Sequence, residues 1–131
     1  VALEQMLENR FGPVNGRTWR DRKADHITED CQMNPIGVFV AERDGEILGY
    51  ITTRLDLNNS RGRIPNMAVV EKARGLGLGR RLIQHALDYF RQSGMKIAQI
   101  ETMASNDVGQ YLYPSCGFQE VGRQVHYAME L

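Results

Sequence analysis

Cysteine, histidine and tryptophan are scarce in this 131-residue chain, at two, three and one copies. Cys31 and Cys116 lie far apart and His26, His85 and His126 are scattered, so no metal-ligand spacing exists and no metal is expected. Two cysteines also exclude a disulfide-framework fold, and a cytoplasmic protein with thiol cysteines is expected. An excess of charge of either sign is lacking as well. Sixteen basic and sixteen acidic side chains cancel, which leaves no bulk attraction to nucleic acid or to a membrane surface. No apolar run reaches membrane-spanning length, and no signal-peptide pattern opens the chain. Repeats, linkers and low-complexity segments are absent, so residues 1–131 read as a single domain large enough for a real core.

Glycine, by contrast, is plentiful, with thirteen copies. Three of them alternate in Arg74-Gly75-Leu76-Gly77-Leu78-Gly79-Arg80, between the apolar run Met67-Ala68-Val69-Val70 and an amphipathic run starting at Leu78. A strand, a glycine-rich turn and a helix in that order make an anion site. Glycine lets the backbone come close to a ligand, and the first N–H groups of a helix have no internal acceptor. The helix dipole adds partial positive charge there, and Arg74 and Arg80 flank it with full charges. The spacing excludes the dinucleotide fingerprint Gly-x-Gly-x-x-Gly. It also excludes the nucleotide P-loop, because Gly79 is followed by Arg80-Arg81 rather than Lys-Ser/Thr.

Periodicity predicts helices over about 2–10 and 18–33, the second closed by Asn34-Pro35. A hairpin over 37–54 turns at Asp44-Gly45, a favoured tight-turn pair. A strand follows over 63–70. The helix after the glycine run carries Leu78, Leu82, Ile83, Ala86, Leu87 and Phe90 at helical spacing and ends at Ser93-Gly94. A strand over 96–102, a short helix over 106–114, and two strands over 118–121 and 124–131 joined at Gly122-Arg123 complete the chain. The class is α+β, with a central mixed, mostly antiparallel sheet flanked by helices.

Two motifs give this pattern a family. Arg74, Gly77 and Gly79 match the acyl-CoA signature Arg/Gln-x-x-Gly-x-Gly/Ala. Asn106, Tyr113, Gly117 and Phe118 match Asn-x-x-Ala-x-x-x-Tyr-x-x-x-Gly-Phe, with Gly109 in the alanine position. In spacing and order the chain resembles the GNAT (GCN5-related) N-acetyltransferases from Gly37 to its C-terminus. The segment Glu101 to Asn106 is similar to the ribosomal-protein N-terminal acetyltransferase branch.

The resemblance implies acetyl-CoA as cosubstrate, an amine acceptor and direct attack of that amine on the thioester. It implies that Met67, Ala68 and Val69 hold the pantetheine arm and thioester through backbone groups left open where the strand splays from its neighbour. The N–H groups of Gly75, Leu76, Gly77, Leu78, Gly79 and Arg80 would cradle the pyrophosphate, and Asn106 would contact pantetheine, although Asn at that place is also a good N-cap. The Met67 N–H would face the developing oxyanion. Tyr113 takes the position of the general acid, or of a core tyrosine under Phe118. Glu101 takes that of the base, against the alternative of a solvated strand face shared with Gln99. Asp56 is a weaker candidate base. His126 would line the acceptor cleft or be structural. The cluster from Arg17 to Lys23 would recognise an acidic acceptor or form a solvated helix face.

Two departures from the family accompany these expectations. No strand precedes Leu3, which leaves a sheet edge uncovered and suggests a homodimer. The turn at Gly122 is also shorter than in peptide-acetylating branches. Alternative readings are a CoA-binding sensor without turnover, and transfer from another acyl-CoA.

Overall fold

The computed structural model describes residues 2–131. Its elements in order are α1 (Leu3–Phe11), α2 (Trp19–Met33), β1 (Phe39–Arg43), β2 (Glu46–Ile51), β3 (Arg54–Asp56), β4 (Arg61–Ile64), β5 (Met67–Val69), α3 (Leu78–Gln92), β6 (Ile97–Ile100) and α4 (Asp107–Ser115). This is the α+β class with a mixed sheet and flanking helices. The contacts divide into two compact units. One runs from Ile27 to Glu101, and the other gathers the chain up to His26 with Thr102–Leu131.

The Ile27–Glu101 unit holds every strand among the described residues. β1 and β2 form a hairpin whose turn residues Asp44 and Gly45 take φ of 53° and 80°, the left-handed pair that a two-residue turn requires. β2 continues through Thr52-Thr53 into β3, and β4 continues through Pro65-Asn66 into β5, so two long antiparallel strands are each broken once at facing positions. The breaks give two three-stranded ladders, β1-β2-β5 and β3-β4-β6. β6 alone runs parallel to its neighbour, with Arg61 opposite Ile97 and Ile64 opposite Ile100. A parallel pair needs a crossover, and α3 supplies it.

The core lies between α3 and the strands. Leu82, Ile83, Ala86 and Phe90 of α3 pack with Leu48, Ile51 and Ile64. Gly49 brings β2 close to its neighbours, since a Cβ there would stand 2.9 Å from the Ala68 carbonyl oxygen and 3.2 Å from Leu82. Gly94, at φ 80°, closes α3, and the Met95 N–H returns to Phe90 O at 3.0 Å in a Schellman-type cap.

In the other unit, α2 starts on a capping box. Thr18 N–H donates to Asp21 Oδ2 at 2.9 Å, and Asp21 N–H returns to Thr18 Oγ1 at 3.3 Å. Arg22 pairs with Glu4 at 2.7 Å and Arg17 with Asp25 at 2.7 Å. These pairings within the protein fit the solvated-face reading of the Arg17 to Lys23 cluster better than an acceptor site.

The two C-terminal strands expected over 118–121 and 124–131 do not form. Among the described residues, Phe118 to Leu131 carry no helix or strand, and everything from Gln119 onward is exposed. Alternating side chains set two faces, but a strand draws its backbone bonds from a partner, and none pairs with this segment. His126 lies in this exposed stretch. No described helix is long and apolar enough to cross a membrane.

Candidate active site

Pro65 is where the site originates. The parallel β4–β6 ladder ends at Ile64 opposite Ile100, and the next residue in β4's direction has no N–H to donate. From there the strands part: β6 ends, and β5 pairs only with β2. Thr52 N–H donates to Asn66 O at 2.9 Å and Val70 N–H to Leu48 O at 2.8 Å. The alternation of an antiparallel ladder therefore turns the N–H and C=O groups of Met67 and Val69 toward the other edge, while those of Ala68 face β2. Among the described residues no strand covers that edge. The expected splay is present, with the outward groups belonging to Met67 and Val69, of which the Val69 C=O accepts from Arg74 Nε.

Five residues beyond Val69 the chain reaches the glycine run. Arg74 Nε donates to Val69 O at 3.4 Å, which ties the loop back to the strand. Gly75 and Gly77 adopt φ of 80° and 76°, in the left-handed region that other residues avoid. Gly77 is the N-cap of α3, and the first helical bond is Arg81 N–H to Gly77 O at 3.1 Å. The N–H groups of Leu78 and Gly79 precede that bond and so have no acceptor within the helix. Arg74 to Gly77 are exposed and Leu78, Gly79 and Arg80 are half-buried, so the helix start is open to a ligand.

Beside the parting strands lies a small cleft of about 170 Å³ lined by Arg63, Ile64, Pro65, Gln99 and Glu101. Glu101 is ion-paired with Arg63 at 2.9 Å, and Gln99 Oε1 accepts from Arg61 at 3.2 Å. Arg63 was not anticipated from the sequence; its parallel neighbour is Gln99, two residues before Glu101, a register set by long-range pairing. Asp56 is occupied in a turn, where it accepts from Asn59 Nδ2 at 2.8 Å and Asn59 N–H at 3.3 Å. The Asn59 side-chain bond, ahead of the backbone bond, holds its carboxyl below the usual range, which makes it a poor base.

The second motif lies in the other unit. Asn106 is the N-cap of α4: its Oδ1 accepts from Gly109 N–H at 3.2 Å, and its Nδ2 donates to Thr102 Oγ1 at 2.8 Å. The glycine at the family's alanine position has a local cause. A Cβ on Gly109 would stand 2.8 Å from Asn106 Nδ2 and 3.0 Å from both Thr102 Oγ1 and the Tyr113 ring. Tyr113 packs edge-on against Phe118, with ring centroids 6.3 Å apart. Burial, with a smaller contribution from Cys116, raises its phenol above the ordinary value.

Comparison with known proteins gives the same direction. The sequence profile of the "Acetyltransferase (GNAT) family" matches residues 2–118. The mycothiol acetyltransferase of Thermomonospora curvata is 32% identical over 123 residues, which cover 87% of this chain and 41% of that protein. The N-alpha-acetyltransferase of Sulfurisphaera tokodaii is 33% identical over 100 residues, 68% of this chain and 60% of that protein. The chain thus spans about two fifths to three fifths of these two relatives. Among solved structures, the IAA acetyltransferase from Bacillus cereus superposes with a TM-score of 0.69 at 28% identity, covering 78% of this chain and 66% of that one.

Proposed function

The chain belongs to the acetyltransferase (GNAT) family, and from that premise we propose that it transfers the acetyl group of acetyl-CoA to a primary amine by direct attack in a ternary complex. The observation that carries the reading is the open Met67–Val69 edge followed at once by the glycine-rich start of α3. An edge that offers hydrogen bonds suits an amide-bearing arm, and a helix start beyond it suits a pyrophosphate. In this reading Gly75 to Arg80 hold the pyrophosphate, Met67 to Val69 hold pantetheine and thioester, and Asn106 adds a contact to its capping role. CoA chemistry supplies the activated acetyl group, while the chain positions it.

As the amine attacks, the new C–N bond pushes the carbonyl π electrons onto oxygen, and the Met67 N–H donates a hydrogen bond to the oxyanion that forms. Collapse releases the thiolate, which takes a proton from Tyr113. The proton lost by the amine passes to Glu101, directly or through water. An α-amine near 8 needs less help in losing its proton than a lysine near 10.4, so an N-terminal or small-molecule amine suits a modest base best. The relative named as an N-alpha-acetyltransferase fits an amine acceptor. Residues 1–131 are proposed to act as one domain in the cytoplasm, with a homodimer formed over uncovered sheet edge.

The test is release of CoA thiol from acetyl-CoA across a panel of α-amino, lysine-like and aminosugar acceptors. Acceptor-dependent release is expected. Tight CoA binding with no release from any of them would leave a cofactor-binding module and sink the enzyme reading.

Glu101→Gln keeps the size of the side chain and removes the base. Because Glu101 is 61% exposed and paired with Arg63, a tenfold drop in turnover is expected, below the roughly 10²–10⁴ of a fully engaged acid or base. The drop should shrink as pH rises and more amine is already neutral. A pH-independent loss, or none, would remove Glu101 as base.

A further inference from the structure

We infer that Asp30 and Asn66 are positioning residues for the acyl-transfer centre, holding the backbone at Met67 in the orientation that presents its N–H to the thioester carbonyl; this rests on the reading of Met67 given above. Asp30, on α2, is only 4% exposed, a rare situation for a carboxylate. Its two oxygens have separate tasks. Oδ1 accepts from Arg54 Nε at 2.9 Å and Nη2 at 2.6 Å, and Oδ2 accepts from the Asn66 side-chain amide.

Asn66 is itself buried, and its backbone is held as firmly as its side chain. Its N–H donates to Thr52 Oγ1 at 3.1 Å, and its carbonyl accepts from Thr52 N–H at 2.9 Å. Thr52 is wholly buried at the facing strand break. Residue 66 therefore has bonds to α2 and to the break after β2, directly before Met67.

The placement bears on chemistry rather than on stability alone. A carboxylate buried in an ion pair is seldom more stabilising than apolar groups of the same volume, because it loses its water. A charged group that reaches Asn66 does give direction: a two-oxygen acceptor fixed on one side by the Arg54 fork leaves its other oxygen a single bearing. Position 66 is also where the chain leaves the β4–β6 ladder and enters β5. Pro65 provides no N–H to set the strand's course, which leaves that task to residue 66. An oxyanion donor must lie within tenths of an ångström of its place, so an anchor one residue away acts on rate more than on binding.

Asn66→Ala leaves the Asp30–Arg54 pair intact and cuts only the link, and Asp30→Asn tests the same link from the other side. In ligand-free protein, the ¹⁵N order parameter of the Met67 amide should fall from about 0.85 to below about 0.6 in Asn66→Ala. kcat should fall about tenfold, as for a weakened oxyanion donor, while the dissociation constant for CoA changes less than twofold. An unchanged Met67 order parameter overturns the inference, as does a lower melting temperature with kcat intact. Absence of turnover in the unaltered protein would instead count against the proposed function, and the order parameter would still decide whether Asn66 holds Met67. If Asp30→Asn does not fold, Asn66→Ala alone carries the test.

Discussion

Tyr113→Phe is expected to lower kcat about 100-fold, with the affinity for CoA little changed. A positioned general acid contributes about 10²–10⁴, and burial places this phenol at the low end, because a raised pKa makes it a weaker acid toward the leaving thiolate. The same shift fixes the pH profile. The neutral phenol is the active form and it persists up to its pKa, which lies above the ordinary 10.0. The alkaline fall of kcat assigned to Tyr113 therefore lies above pH 10, and the phenylalanine variant should lack it. Edge-on packing against Phe118 survives the change, so the melting temperature should hardly move. An alkaline fall near pH 8 in both proteins, or equal kcat values, would assign the proton to another group.

Phe90→Ala should have the largest effect on stability. The ring is 2% exposed, on the last turns of the helix whose first turn forms the proposed anion cradle. Its loss is expected to cost about 3–5 kcal/mol. Its neighbour explains why the site cannot be repacked easily. Gly62 of β4 has no side chain because Phe90 occupies its place: a Cβ there would stand 2.4 Å from Phe90 Cδ1 and 2.5 Å from Cγ. Gly62→Ala should therefore cost about 1–3 kcal/mol by overpacking. With the ring gone, the added methyl meets open space, so the double variant should be less destabilised than the two single losses summed. Urea unfolding of all four proteins measures the coupling. Simple additivity would mean that the two positions do not share one space.

What the sequence disclosed and what it concealed follow the range of the forces involved. Asp44-Gly45, the Gly94 cap, the Asn106 cap and the buried stripe on α3 are local, and each was legible from a few neighbouring residues. The glycine run was legible for the same reason. The family and fold class followed from motif order. What stayed hidden depends on pairing at a distance. Arg63–Glu101 needs the register of β4 on β6, and Asp30–Asn66 needs α2 laid against the strand break. Pro65-Asn66, inside the run 63–70 expected as one strand, was the available sign that it would become two. The C-terminal segment erred the other way. Val121, Val125, Tyr127, Met129 and Leu131 alternate as a strand would, and an edge to receive them is not among the pairings of the described chain.

The crossover through α3 sets an order of assembly. The β1–β2 hairpin closes over a two-residue turn, so little chain entropy opposes it and it can form early. β4 and β6 meet only after β5, the glycine run and all of α3 have been gathered between them. Contacts that span so much chain come late and gate the folding rate. It follows that Arg63 and Glu101 face one another only once the chain has crossed through α3. A nascent chain emerging from the ribosome would display its glycine run well before it possessed a cleft.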